Sequence, residues 1–156
     1  MTLAEARKLI DEVNYPLDYN QEEWNGFLGS NCYPYSLGIK TNEAFLVGDL
    51  IGRRVTAKDS DSTKLYILKT ELQELGFEIE ECDVYDVSDE GFKIYFQIND
   101  KTGEYHLIRC DIDNLWSHKA ADYLPNRRDS AGYIIEDPEA MAEPGFHGWC
   151  LMLYRY

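Results

Sequence analysis

The strongest constraint on this chain is a change of hydrophobic period partway along it. After Gly76 the apolar residues begin to alternate. In "FKIYFQI", Phe92, Ile94, Phe96 and Ile98 fall on one face of an extended backbone, because successive side chains of a strand point to opposite sides. "NDKTG" closes a hairpin, "EYHLIRCDI" returns, "DIDN" turns again and "LWSHK" follows. "FEIEECDVYDV" reads as an earlier strand, ended by a turn at residues 88–91. Residues 119–132 read as a loop and "YIIEDP" as a short strand or edge. "FHGWCLMLYRY" is apolar on both faces, which predicts an inner strand.

Before Gly76 the spacing is helical. Thr2 and Glu5 form a capping box ahead of Leu3, Ala6, Ile10 and Val13, and Pro16 ends that run. Leu65, Leu68, Leu72 and Leu75 mark a further helix, with Gly76 as its C-terminal cap. "VGDLIGRR" is a loop between them. Helices followed by an antiparallel sheet define an α+β layout. The length fits one domain, residues 1–156.

Between the two outer helical runs lies "GSNCYPYSLGI", residues 29–39. Ser30 or Asn31 can cap a helix whose first turn contains Cys32, with Pro34 tolerated in that turn and Tyr33 biased away from helical angles. A purely structural cysteine, acting as a small buried hydrophobe, needs no such junction. A nucleophile gains there from the helix terminus and from access.

Charge narrows the function classes. Lys and Arg number 15 against 29 Asp and Glu, a formal net of -14. No basic stripe is visible, which argues against direct nucleic-acid binding and against an anionic membrane surface. An acidic balance serves solubility, or a partner protein with a basic surface. The N-terminus lacks the basic start and apolar core of a signal peptide and no window reaches a membrane span, so the expected location is cytoplasmic. The four cysteines form no CxxC pair and are expected as free thiols, with Cys82 and Cys110 facing each other on neighbouring strands.

In "EYHLIRC", His106, Ile108 and Cys110 share one strand face. His118 follows twelve residues after His106, across a turn and a returning strand. A thiol, an imidazole base and a third polar group that orients the imidazole are the parts of a thiol-dependent acyl-transfer site. His118, Asp111 or Asp113 can supply the third. Backbone N–H groups near Cys32 would form the oxyanion pocket, and Asn31, Tyr33 and Trp116 are candidates for that pocket or the substrate groove. A metal held by the histidines and an aspartate would leave Cys32 without a role, so no metal or cofactor is expected. His147 reads as structural, and "NRRD", residues 126–129, as a partner for local acids.

"NCYPYSLG", "EYHLIRCDIDNLWSHK" and "DSAGYIIEDPEAM" resemble a group of small bacterial and phage-associated proteins that carry "NCYAYAL", "DYHFYRQDxxGxWSHKxG" and "DxxGxxIxDP". That group in turn resembles the NlpC-type papain-like cysteine peptidases and the CHAP amidases. The likeness covers about residues 29–39 and 103–140. It departs at Pro34, at Cys110 and Ile112, and in "KAADYLPNRRD". The resemblance implies a papain-like fold with Cys32 as nucleophile, His106 as base and His118 as orienting residue. It also implies cleavage of an amide in a peptide or protein substrate, such as a peptidoglycan stem peptide or an isopeptide bond. An acidic, non-catalytic protein that occupies a basic surface of a host protein is the alternative.

Overall fold

Thr2 starts the first helix as expected: its hydroxyl accepts the Glu5 N–H at 3.1 Å, and α1 runs Leu3–Asp11. The computed structural model describes residues 1–141 and 145–155. A 3-10 helix, Gln21–Phe27, leads to α2, Cys32–Ser36. Ser60 caps α3, Asp61–Glu74, by accepting the Thr63 N–H. Among the described residues five strands follow: β1 Phe77–Cys82, β2 Gly91–Asn99, β3 Tyr105–Cys110, β4 Trp116–Ser117 and β5 Phe146–Arg155. The fold is α+β.

The strands form one sheet in the order β1-β5-β2-β3-β4, and each pairing is antiparallel. β5 is thus an inner strand, as its apolar faces predict; Tyr156, the last residue of that segment, lies outside the described residues. "YIIEDP" is not a strand. It contributes one isolated bridge, Arg128 to Ile134, and a 3-10 turn at Pro138–Ala140.

The alternation places Ile94, Phe96 and Ile98 with Leu107, Leu151 and Leu153 against Ala6, Ile10, Tyr33, Leu68 and Leu72. This is the main core, between the helices and one sheet face. A smaller core on the other face gathers Val84, Tyr95, Ile108, Cys110, Trp116, Ile135 and Cys150. Tyr15 joins the main core by stacking on Phe92, with ring centroids 4.5 Å apart, while its hydroxyl donates to the Leu37 carbonyl.

α2 has five residues, shorter than the apolar run around it. Gly38, at φ 71°, ends it: its N–H bonds the Tyr35 carbonyl and the Ile39 N–H bonds the Pro34 carbonyl. That double bond pattern is a Schellman cap, which requires a left-handed residue and so favours glycine.

Candidate active site

Cys32 is the first residue of α2, and its sulfur lies among the backbone N–H groups of Leu107, Cys32 itself and Tyr33. Leu107 follows His106 on β3, so the thiol sits one residue along the backbone from the imidazole. β4 makes this contact available. It pairs with β3 only at Arg109 and Cys110, after which His118 turns away to bridge Asn126. The edge of β3 near His106 is left for the start of α2.

The two histidines meet as their spacing predicts. His106 Nε2 and His118 Nδ1 are 2.8 Å apart, and His118 Nε2 is 2.8 Å from the Arg128 carbonyl oxygen. That chain fixes the tautomers. A carbonyl oxygen only accepts, so His118 carries its proton on Nε2. In a neutral ring Nδ1 is then an acceptor, and His106 must donate from Nε2. Its Nδ1 is left as the free lone pair. Among the described residues no hydrogen bond joins Cys32 to either histidine.

Burial keeps Cys32 and His106 uncharged. Both Cys32 and His106 are half-buried. Desolvation pushes the thiol up to about 11, against the N–H groups and the Lys119 charge. It pushes His106 down to about 3, because a charged imidazolium there would lose its water. Near neutral pH the pair is thiol and imidazole. The five-residue helix supplies N–H donors to the sulfur, but not enough to ionise it.

Lys119 has a place at the site that "WSHK" does not announce. Its side chain is fully buried, and Nζ donates to the carbonyls of Leu28 at 3.0 Å and Ser30 at 2.5 Å. It therefore anchors the loop that enters α2, and its charge favours the Cys32 thiolate. Burial lowers the ammonium group's own affinity for its proton, opposed by Asp122 and Cys32. The signal in the sequence is only that this lysine follows His118, two positions after the buried pair Trp116 and Ser117 of β4.

Several expected site residues lie elsewhere. Asp111 and Asp113 do not reach the histidines: Asp111 accepts from Arg109 Nε at 2.7 Å and from Arg127 at 3.3 Å, and Asp113 accepts from both terminal nitrogens of Arg127. Arg127 of "NRRD" thus pairs with local acids, and also lies over the Tyr19 ring at 4.3 Å. Trp116 lies in the core and not at the surface. It is fully buried in the smaller core, 5.5 Å below the Lys93 ammonium group. The Tyr33 side chain is buried in the main core beside Glu71, so only its backbone N–H serves the thiol. Asn31 stands at the cap position, but its side-chain amide donates to the Phe45 carbonyl at 3.1 Å instead of bonding the helix start. Cys82 faces Cys150, not Cys110, because β5 intervenes between β1 and β2.

Two surface grooves of about 500 and 480 Å³ lie at the β2 entrance and beside α1, and neither is lined by Cys32, His106 or His118. No group of three metal-ligating side chains is assembled among the described residues. No helix among them is long and apolar enough to cross a membrane. No protein-family model matches the chain, no curated protein is significantly similar to it, and no solved structure matches it significantly.

Proposed function

We propose that the chain is a papain-like thiol hydrolase or acyl transferase that acts on an amide of a peptide or protein through a Cys32 thioester. One observation carries this reading. The Arg128 carbonyl and His118 hold His106 in the tautomer whose Nδ1 is free to accept a proton, and the Cys32 thiol lies beside the next residue of the same strand.

The sequence of events follows from the neutral resting pair. Cys32 transfers its proton to His106 Nδ1 as the sulfur attacks the carbonyl carbon, so charge appears only with substrate present. The imidazolium formed on His106 is stabilised through Nε2–H by His118, which is itself held by the Arg128 carbonyl. The N–H groups of Cys32 and Tyr33 are the nearest donors for an oxyanion. His106 then returns the proton to the leaving amine. Water, deprotonated by His106, cleaves the thioester and regenerates the thiol.

The test is covalent capture by a panel of peptidyl acyloxymethyl ketones, read by intact mass and peptide mapping. The expected result is one adduct at Cys32, lost in Cys32→Ser and in His106→Ala. Labelling of Cys32 that His106→Ala leaves unchanged would overturn the reading. So would a wild-type chain whose adducts fall only on other cysteines. The acidic surface would then point to the non-catalytic alternative, a protein that occupies a basic partner.

A further inference from the structure

β1 and β5 place Cys82 directly opposite Cys150, with their sulfur atoms 3.3 Å apart. We propose that this pair is a modification site: a reversible cross-strand disulfide formed by exchange with a low-molecular-weight disulfide. The inference is independent of the thiol chemistry at Cys32.

Three observations support it. The first is register. Directly opposed residues of antiparallel strands have Cα atoms about 4.5 or 5.5 Å apart, inside the range of about 4.4–6.8 Å that a disulfide spans. The register thus sets the two Cα atoms at a separation that a disulfide spans. The second is an asymmetry of access and acidity. Cys150 is buried, whereas Cys82 is half-buried and opens on a groove of about 410 Å³ lined also by Glu80, Glu81, Tyr85, Asp86 and Met152. The Cys150 thiol stabilises the Cys82 thiolate, and Lys93 adds to this against Asp86 and Asp83. Cys150 itself is held strongly protonated by the same contact and by burial. Access makes Cys82 the attacking sulfur and buried Cys150 the resolving thiol. The third is the third thiol of the cluster. Cys110 shares the smaller core but has no strand-register contact with Cys82, and burial pushes it up to about 11.

The steps balance. The Cys82 thiolate attacks one sulfur of an external disulfide, forming a mixed disulfide and releasing one thiolate. Cys150 then loses its proton and attacks the Cys82 sulfur. The internal bond forms and the second external thiol leaves. The external disulfide is reduced by two electrons and the cysteine pair is oxidised by two. Glu80, Glu81 and Asp86 around the opening repel anions, so an uncharged disulfide is the appropriate reagent.

The experiment exposes the native full chain to oxidised 2-mercaptoethanol, quenches with acid and maps peptides without reduction. The expected product in wild type is a peptide pair joined through Cys82 and Cys150, reversed by dithiothreitol. Cys150→Ser should stop at a stable mixed disulfide on Cys82. Cys82→Ser should show no modification of Cys150. Circular dichroism of both variants confirms that the comparison is between folded chains. A wild-type mixed disulfide on Cys82 that never resolves, or a bond from Cys110 in place of Cys82, overturns the proposal. A folded wild type left unmodified at Cys82 does so too.

Discussion

Two clusters sit at opposite ends of β3, and they treat charge in opposite ways. At the start, His106 and Cys32 are half-buried and held neutral, with His118 and Lys119 as supports. At the end, Arg109 and Asp111 are both buried as an ion pair, and Arg127 and Asp113 extend it outward. Arg109 also donates to the carbonyls of Tyr35 and Asp18 and lies 4.0 Å from the Tyr35 ring centre. Its guanidinium is surrounded by partners. The difference teaches what each cluster is suited to do. A fully paired ion cluster fixes the chain, here α2 and the 18–20 segment against β3. A site whose thiol and imidazole are both neutral at rest is suited to moving a proton between them.

The largest expected effect breaks the paired cluster. Asp111→Ala leaves the Arg109 charge buried and uncompensated, and is expected to cost about 3–5 kcal/mol in urea denaturation. A loss near that of a surface pair would mean that Arg109 finds other compensation and that the contrast is overdrawn. Next comes the support of the neutral site. Lys119→Met removes the donor from the Leu28 and Ser30 carbonyls and should destabilise by about 2 kcal/mol. It should also raise the Cys32 pKa further, read from the pH at which iodoacetamide alkylation accelerates. An unchanged alkylation profile would reduce Lys119 to a structural tie.

The last comparison sets two histidines against each other. His106 is depressed to about 3 in the folded chain, so it stays neutral while the unfolded chain takes a proton. Its contribution is present above about pH 6.5 and is lost as pH falls toward 3. His147 is raised, first by Asp100 and then, against some burial, by Asp61 at 2.6 Å. Its contribution is full below about pH 6.5 and is lost as pH rises through the raised folded-state value. His106→Gln should therefore flatten the acid side of a stability–pH curve. His147→Gln should flatten the neutral side, by less than about 1 kcal/mol because the ring is well exposed. Slopes of the same sign in both variants would remove the contrast.

What was legible in the sequence was mainly local. The Thr2 cap, the Leu68, Leu72 and Leu75 face and the alternation of Phe92 to Ile98 depend on near neighbours, and each stands as read. The meeting of His106 and His118 was legible because a hairpin converts sequence distance into spatial proximity. The Arg128 carbonyl that completes their chain was not, because a loop brings it there. Asp111 and Asp113 lie closer in sequence to His106 than His118 does, yet they are bound elsewhere. Arg109, near the end of β3, and Asp111, just past that end, are two positions apart, and that spacing was the available sign. The early end of α2 was written in Gly38, but the apolar run through Ile39 masks it. The lack of a strand at "YIIEDP" has no comparable local sign, since Ile134 is exposed and Ile135 buried as in an ordinary edge.

The strand order also has a consequence for the chain as it is made. Among the described residues β1 has one partner in the sheet, β5, and Cys82 precedes its opposite residue by 68 positions. During synthesis β1 must wait, with both of its edges open, until nearly all the remaining chain has appeared. Such an open edge invites pairing with a neighbouring nascent chain. β1 carries Glu78, Glu80 and Glu81 at exposed positions among its six residues. Mutual repulsion between these carboxylates on two waiting chains gives the strand a means of staying single until its own partner arrives.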